Sequence, residues 1–160
     1  MSEALLQTIE KCAISTEGKM TQLRKGQTMV EIGQQHLKDF ISRLVDEASV
    51  RHLSTITGLD LNENIGIIYH FSLGNVTIHV KTLVPKTRPT AISIVDVIPG
   101  AILYEWEIHD MLGVTFIGNP RMDKKLLLPD NWSADLPPPL LKAAKLPEMR
   151  KSLGLGASQR

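Results

Sequence analysis

Residues 65–81 read IGIIYHFSLGNVTIHVK, and their period decides the fold. Val76, Ile78 and Val80 alternate with Thr77, His79 and Lys81, the pattern of a strand with one buried face. The run Ile65–Leu73 ahead of them is strand-sized and ends at Gly74-Asn75, a pair with turn chemistry. A β-hairpin is expected here. Upstream, His52–Thr57 leads to Gly58 as a further extended run, and Thr28–Ile32 suits another strand. Between them the period changes: Leu37, Phe40, Ile41, Leu44, Val45 and Ala48 fall on one face of a helix. Downstream, Ala91–Ile98 is a candidate strand. Pro99-Gly100 breaks it and opens a helix over 101–112, with Gly113 at the position that closes it.

The order β-α-β-β-β-β-α predicts an α+β fold, a mostly antiparallel sheet with packed helices and an extended Pro-rich C-terminal arm. Three regions are expected: a helix and loop over 1–26, an α+β domain over 27–132, and the arm over 133–160. Within the first, residues 18–26 read as a polar turn or loop. The arm holds Pro137, Pro138, Pro139 and Pro147, with five basic and two acidic residues and no amphipathic period.

Composition narrows the function. The 160 residues are 42% hydrophobic and 22% charged, which suits one globular domain. A net charge of +1 gives no field to draw in nucleic acid or an anionic membrane. One cysteine, Cys12, cannot form an intrachain disulfide or hold an iron–sulfur cluster, which takes about four thiolates. No apolar stretch approaches the roughly 20 residues of a membrane span, and the N-terminus lacks the apolar core of a secretory signal. Membrane contact is therefore expected only through partners.

Residues 104–110, YEWEIHD, are the densest ionisable group. A metal reading would use His109 with Glu105 and Asp110, but there is no HExxH spacing and no third ligand segment. No nucleophile elbow, P-loop or dinucleotide fingerprint is present. His36, His52, His70 and His79 are scattered, and His79 shares the polar face of its strand with Thr77 and Lys81. No catalytic, cofactor-binding or metal-ligating residue is assigned. From residue 110 to 132, apolar residues alternate with a basic cluster and lead into the arm, which suggests a surface buried by a partner.

That segment resembles the complex I thirty-kilodalton subunit family. The family pattern runs roughly E-R-E-x-x-D, an apolar pair, G-I-x-F-x-G-H-P, then a basic pair and L-L. Here the matches are Glu105, Glu107, Asp110, Leu112, Gly113, Phe116, Gly118 and Pro120, then Lys124, Lys125, Leu126 and Leu127. Residues 52–60, 68–71 and 93–101 also resemble the family, so the likeness covers about 30–142. The family's Arg between the glutamates is Trp106 here, its His before the proline is Asn119, and its following Asp is Arg121. Packing or neutral hydrogen bonds must replace the ionic contacts of those residues.

The compact length and the ending LPDNW (128–132) look closest to the homologous subunit of Ech-type, energy-converting nickel–iron hydrogenases. The resemblance implies a peripheral subunit on the cytoplasmic side of the cell membrane, with no cofactor of its own. Its partners would be a large subunit with the nickel–iron site and a small subunit with iron–sulfur clusters. The complex would couple ferredoxin oxidation and proton reduction to ion translocation. The implied interface is Glu105, Trp106, Glu107, Asp110, Gly113, Phe116, Gly118, Pro120, Lys124, Lys125 and Trp132. Each carboxylate buried there needs a cationic or N–H partner. The alternatives are the equivalent subunit of a quinone- or deazaflavin-linked dehydrogenase, a stand-alone enzyme using His109, and a free-standing binding module.

Overall fold

A computed structural model describes residues 2–155. The hairpin at the centre forms as expected. β4 (Asn64–Leu73) and β5 (Val76–Pro85) pair antiparallel from Leu73↔Val76 out to Asn64↔Pro85, with Gly74 at φ 58° in the turn. β3 (His52–Leu61) lies antiparallel on the far side of β4, with a bulge between Leu53 and Thr55. β2 (Gln27–Glu31) runs parallel to β5.

Residues 18–26 are not a loop. β1 (Lys19–Arg24) forms a hairpin with β2 and becomes the sheet edge, giving the order β1-β2-β5-β4-β3. Its side chains are almost all exposed, so no apolar alternation marked it; backbone pairing alone makes it a strand. The fold is α+β, and the sheet is mostly antiparallel.

α1 (Ser2–Ser15) and α2 (Gln34–Ala48) cover one face. Leu37, Phe40, Ile41 and Leu44 of α2 pack in one buried cluster with Ile67, Tyr69, Phe71, Ile78 and Val80 of the hairpin. Each such side chain contributes about 1.5–3 kcal/mol by leaving water. α2 ends where Ser49 turns left-handed at φ 56° and Val50 N–H returns to the Leu44 carbonyl at 2.9 Å. The opposite face carries Thr57, Ile68, His70, His79 and Lys81 half-buried, with Leu83 and Leu59 exposed.

The expected strand over 91–98 is shorter than its apolar run. Only β6 (Thr90–Ile92) is extended, paired in parallel with β7 (Thr115–Ile117). Ser93 N–H still reaches the Ile117 carbonyl at 2.9 Å, and the pairing stops at Ile94, whose N–H serves the Glu105 carboxylate instead. α3 (Ala101–Leu112) follows, and Gly113 at φ 76° closes it with its N–H on the His109 carbonyl. α3 lies against β3 at Gly58, where a Cβ would stand 2.3 Å from Leu112 Cδ1. Within the arm, α4 (Leu146–Ser152) forms one short exposed helix. Residues 156–160 of the arm lie outside the described residues.

Candidate functional site

α3 is apolar on several sides rather than one, because two of the carboxylates that match the family pattern point inward. Glu105 and Asp110 are five residues apart, roughly 140° around the helix, so they serve different segments. Glu105 is fully buried and accepts from Ser93 Oγ at 2.7 Å, Ile94 N at 2.9 Å and Asn119 Nδ2 at 3.0 Å. Burial pushes its carboxyl above the ordinary value, while the three hydrogen bonds pull it back. Asn119 also donates to the Ile102 carbonyl and accepts from Arg121 N. A neutral amide thus ties the turn after β7 to α3, in the place where the family pattern has a His, and Glu105 carries the link on to the segment after β6.

Asp110 gathers the second segment. Its Oδ2 accepts from three successive backbone amides, Leu126 and Leu127 at 2.7 Å and Leu128 at 3.1 Å. Successive N–H groups curled onto one oxygen form a nest, which holds an anion without a cationic side chain. Lys125 Nζ, within this segment, reaches the carbonyls of Pro129, Asp130 and Trp132. Trp106 donates its indole N–H to the Lys124 carbonyl at 2.7 Å, and the Arg121 guanidinium lies 5.7 Å from its ring centroid. Trp106 and Arg121, both departures from the pattern, therefore contact each other.

The expected interface divides on this geometry. Glu105, Asp110 and Phe116 are buried inside the subunit. The two carboxylates have the N–H partners their burial demands, but those partners belong to this chain. Within the chain they shape the loops after β6 and β7 and the segment 126–128. Glu107, Gly118, Pro120, Lys124 and Lys125 are exposed, and Trp106, Gly113 and Trp132 are half-buried. His109 is not aimed at the carboxylates: its Nδ1–H donates to the Val114 carbonyl at 2.9 Å. Among the described residues no three His, Cys, Asp or Glu side chains gather as a metal site.

The sequence reading missed Leu103 and Leu140, while Leu127 lies in the 110–132 segment already read as a partner surface. Leu103 is 55% exposed, Leu127 56% and Leu140 62%. Leu103 and Glu107 share the outer stripe of α3 as i, i+4 neighbours. Leu127 hangs from Asp110, and Leu140 N–H donates to the Met111 carbonyl at 3.0 Å. Both leucines thus sit at the C-terminal end of α3. The arm is seated there: Pro138 Cγ lies 2.9 Å from where a Gly113 Cβ would be, and Lys142 N donates to Asp60 Oδ2 at 2.7 Å. Lys86 pairs with the same Asp60, and the two bonds hold its carboxyl below the usual range. No helix among the described residues is long and apolar enough to cross a membrane.

The family model for the respiratory-chain NADH dehydrogenase 30 kDa subunit matches residues 30–150. The chain belongs to that family. Among curated relatives, the C subunit of NADH-quinone oxidoreductase from Roseiflexus castenholzii is 27% identical over 142 residues, 84% of this chain and 74% of the relative. Its counterpart from Acidothermus cellulolyticus is 28% identical over 120 residues, 70% of this chain and 62% of the relative. The fused C/D subunit of Phocaeicola vulgatus is 30% identical over 108 residues, 64% of this chain but only 20% of the relative. Among solved structures, a chain of the membrane-bound sulfane sulfur reductase, an archaeal respiratory membrane complex, superposes with a TM-score of 0.82 at 22% identity. That match covers 99% of this chain and 96% of the other. The trypsin-resistant fragment of Nqo5 gives a TM-score of 0.63 at 20% identity, covering 72% of this chain and 98% of the fragment. The fold of this 30 kDa-subunit homologue is thus one found in respiratory membrane complexes.

Proposed function

We propose that this chain is a cofactor-free structural subunit of a membrane-bound, energy-converting nickel–iron hydrogenase, clamping the large nickel–iron and small iron–sulfur subunits together on the cytoplasmic side. The complex would oxidise ferredoxin, reduce protons and translocate ions. The observation that carries a docking role is the use of Glu105 and Asp110. Two buried carboxylates are spent entirely on fixing loops, and those loops present Leu127, Lys124, Pro120 and Gly118 beside the exposed Leu103 and Glu107. Fixed loops lower the ordering cost of association. Support for the hydrogenase branch is the ending LPDNW (128–132), on which the resemblance to that subunit rests.

A second reading is the equivalent subunit of a quinone-linked dehydrogenase, favoured by the names of the curated relatives. Affinity-tagged chain, purified from detergent-solubilised membranes of its native host, separates the two. Co-purification with a nickel-containing large subunit and hydrogen evolution supports the hydrogenase reading. Co-purification with quinone-reducing subunits moves the chain to the dehydrogenases. Recovery as a lone monomer overturns both.

A further inference from the structure

The open face of the sheet carries a row of side chains that the docking role does not use. His70 and His79 are direct partners across β4 and β5, and Met29 on β2 is in register with His79. The three occupy neighbouring strands on one face. All are half-buried, whereas Thr28, Val30, Ile78 and Val80, which alternate with Met29 and His79, are buried on the other face. The imidazoles meet edge to face with Nδ1 atoms 2.7 Å apart, and Thr57 Oγ1 lies 2.9 Å from His70 Nε2. An N–H on His70 Nε2, donated to Thr57, leaves the His70 Nδ1 lone pair facing His79. Fixing one ring nitrogen this way is how an outer partner orients a metal-binding imidazole.

We propose that His70, His79 and Met29 form a cross-strand site for a single Cu(I) ion. Two imidazoles and a thioether are a neutral, soft donor set, which favours Cu(I) over the harder divalent ions. Metal–nitrogen distances of about 2.0 Å place two ligand nitrogens roughly 3.3 Å apart at a tetrahedral angle. The rings need only part slightly from their hydrogen-bonded separation. His79 moves its N–H from Nδ1 to Nε2 on binding, so each imidazole keeps one proton and none is released. The nearest charges on this face, Lys81 and Glu31, neutralise each other one row away at 2.7 Å.

The test titrates the full chain anaerobically with Cu(I) supplied as its acetonitrile complex, against a chromophoric chelator. A Cys12→Ala background removes the buried thiol. One Cu(I) per chain is expected, with X-ray absorption reporting two nitrogens and one sulfur. His70→Gln and His79→Gln should each weaken binding about tenfold or more, a loss at least as large as that of an outer-shell partner. Met29→Leu should weaken it less and remove the sulfur signal. Unchanged binding in the histidine variants, a sulfur signal that survives Met29→Leu, or uptake of Zn2+ but not Cu(I) overturns the assignment. Circular dichroism and melting of each variant establish that the fold is intact.

Discussion

Glu105 and Glu107 are two residues apart on α3 and do opposite things. Glu105→Ala strands three buried donors and opens a cavity, so it should cost the isolated chain about 2–4 kcal/mol in urea unfolding. Glu107→Ala removes an exposed group and should cost less than about 0.5 kcal/mol; equal losses would contradict the inward placement of Glu105. Tyr69 gives the converse case, since its buried hydroxyl has no hydrogen-bond partner among the described residues. Tyr69→Phe should leave stability unchanged or raise it by about 1 kcal/mol, and a clear loss would point to a partner for that oxygen. The acidity of this helix was legible in the sequence; the direction of each carboxylate was not. Their partners are mostly backbone amides of 94 and 126–128, which carry no residue-type signal. The histidine pair was nearer to hand. A two-residue turn at Gly74-Asn75 pairs residues whose numbers sum to the same value, and His70 and His79 satisfy it.

Elements were legible where their period was strong. α2, the central hairpin and the Gly113 stop of α3 follow from apolar spacing and glycine placement. The segments 19–24 and 93–98 were not, since β1 is exposed on both faces and the Ile94 N–H goes to Glu105 rather than to a neighbouring strand. Gly113 joins element to arm, which makes it the position to perturb. Gly113→Ala forces a side chain into a left-handed residue and toward Pro138 Cγ. The left-handed conformation alone costs about 1–2 kcal/mol. Hydrogen exchange should show the Leu140 amide, bonded to Met111, losing protection before the α2 amides do. Uniform loss across the molecule would mean that the arm is not a separate unit.

At the scale of the molecule, helices and arm shield one face of the sheet, and among the described residues the other face is open and holds the paired imidazoles. His70 and His79 have pKa values lowered in the folded state, by burial first and for His70 also by its neighbour. The unfolded chain, with imidazoles near 6.5, therefore binds protons that the native state refuses. Stability is full above about pH 6.5 and falls as pH drops below it, until the native imidazoles themselves protonate. Two cations cannot share the 2.7 Å contact between the rings, so protonation must also break that hydrogen bond. Urea midpoints followed from pH 7.5 down to 5.5 should decline, and the decline should flatten in a His70→Gln, His79→Gln double variant. Glu105 works in the opposite sense, because a raised carboxyl pKa makes stability fall as pH rises through it. A Glu105→Gln variant in the same titration separates the two. If the slope between pH 6.5 and 5.5 follows Glu105 and not the histidines, the depressed imidazoles are not what this fold refuses to protonate.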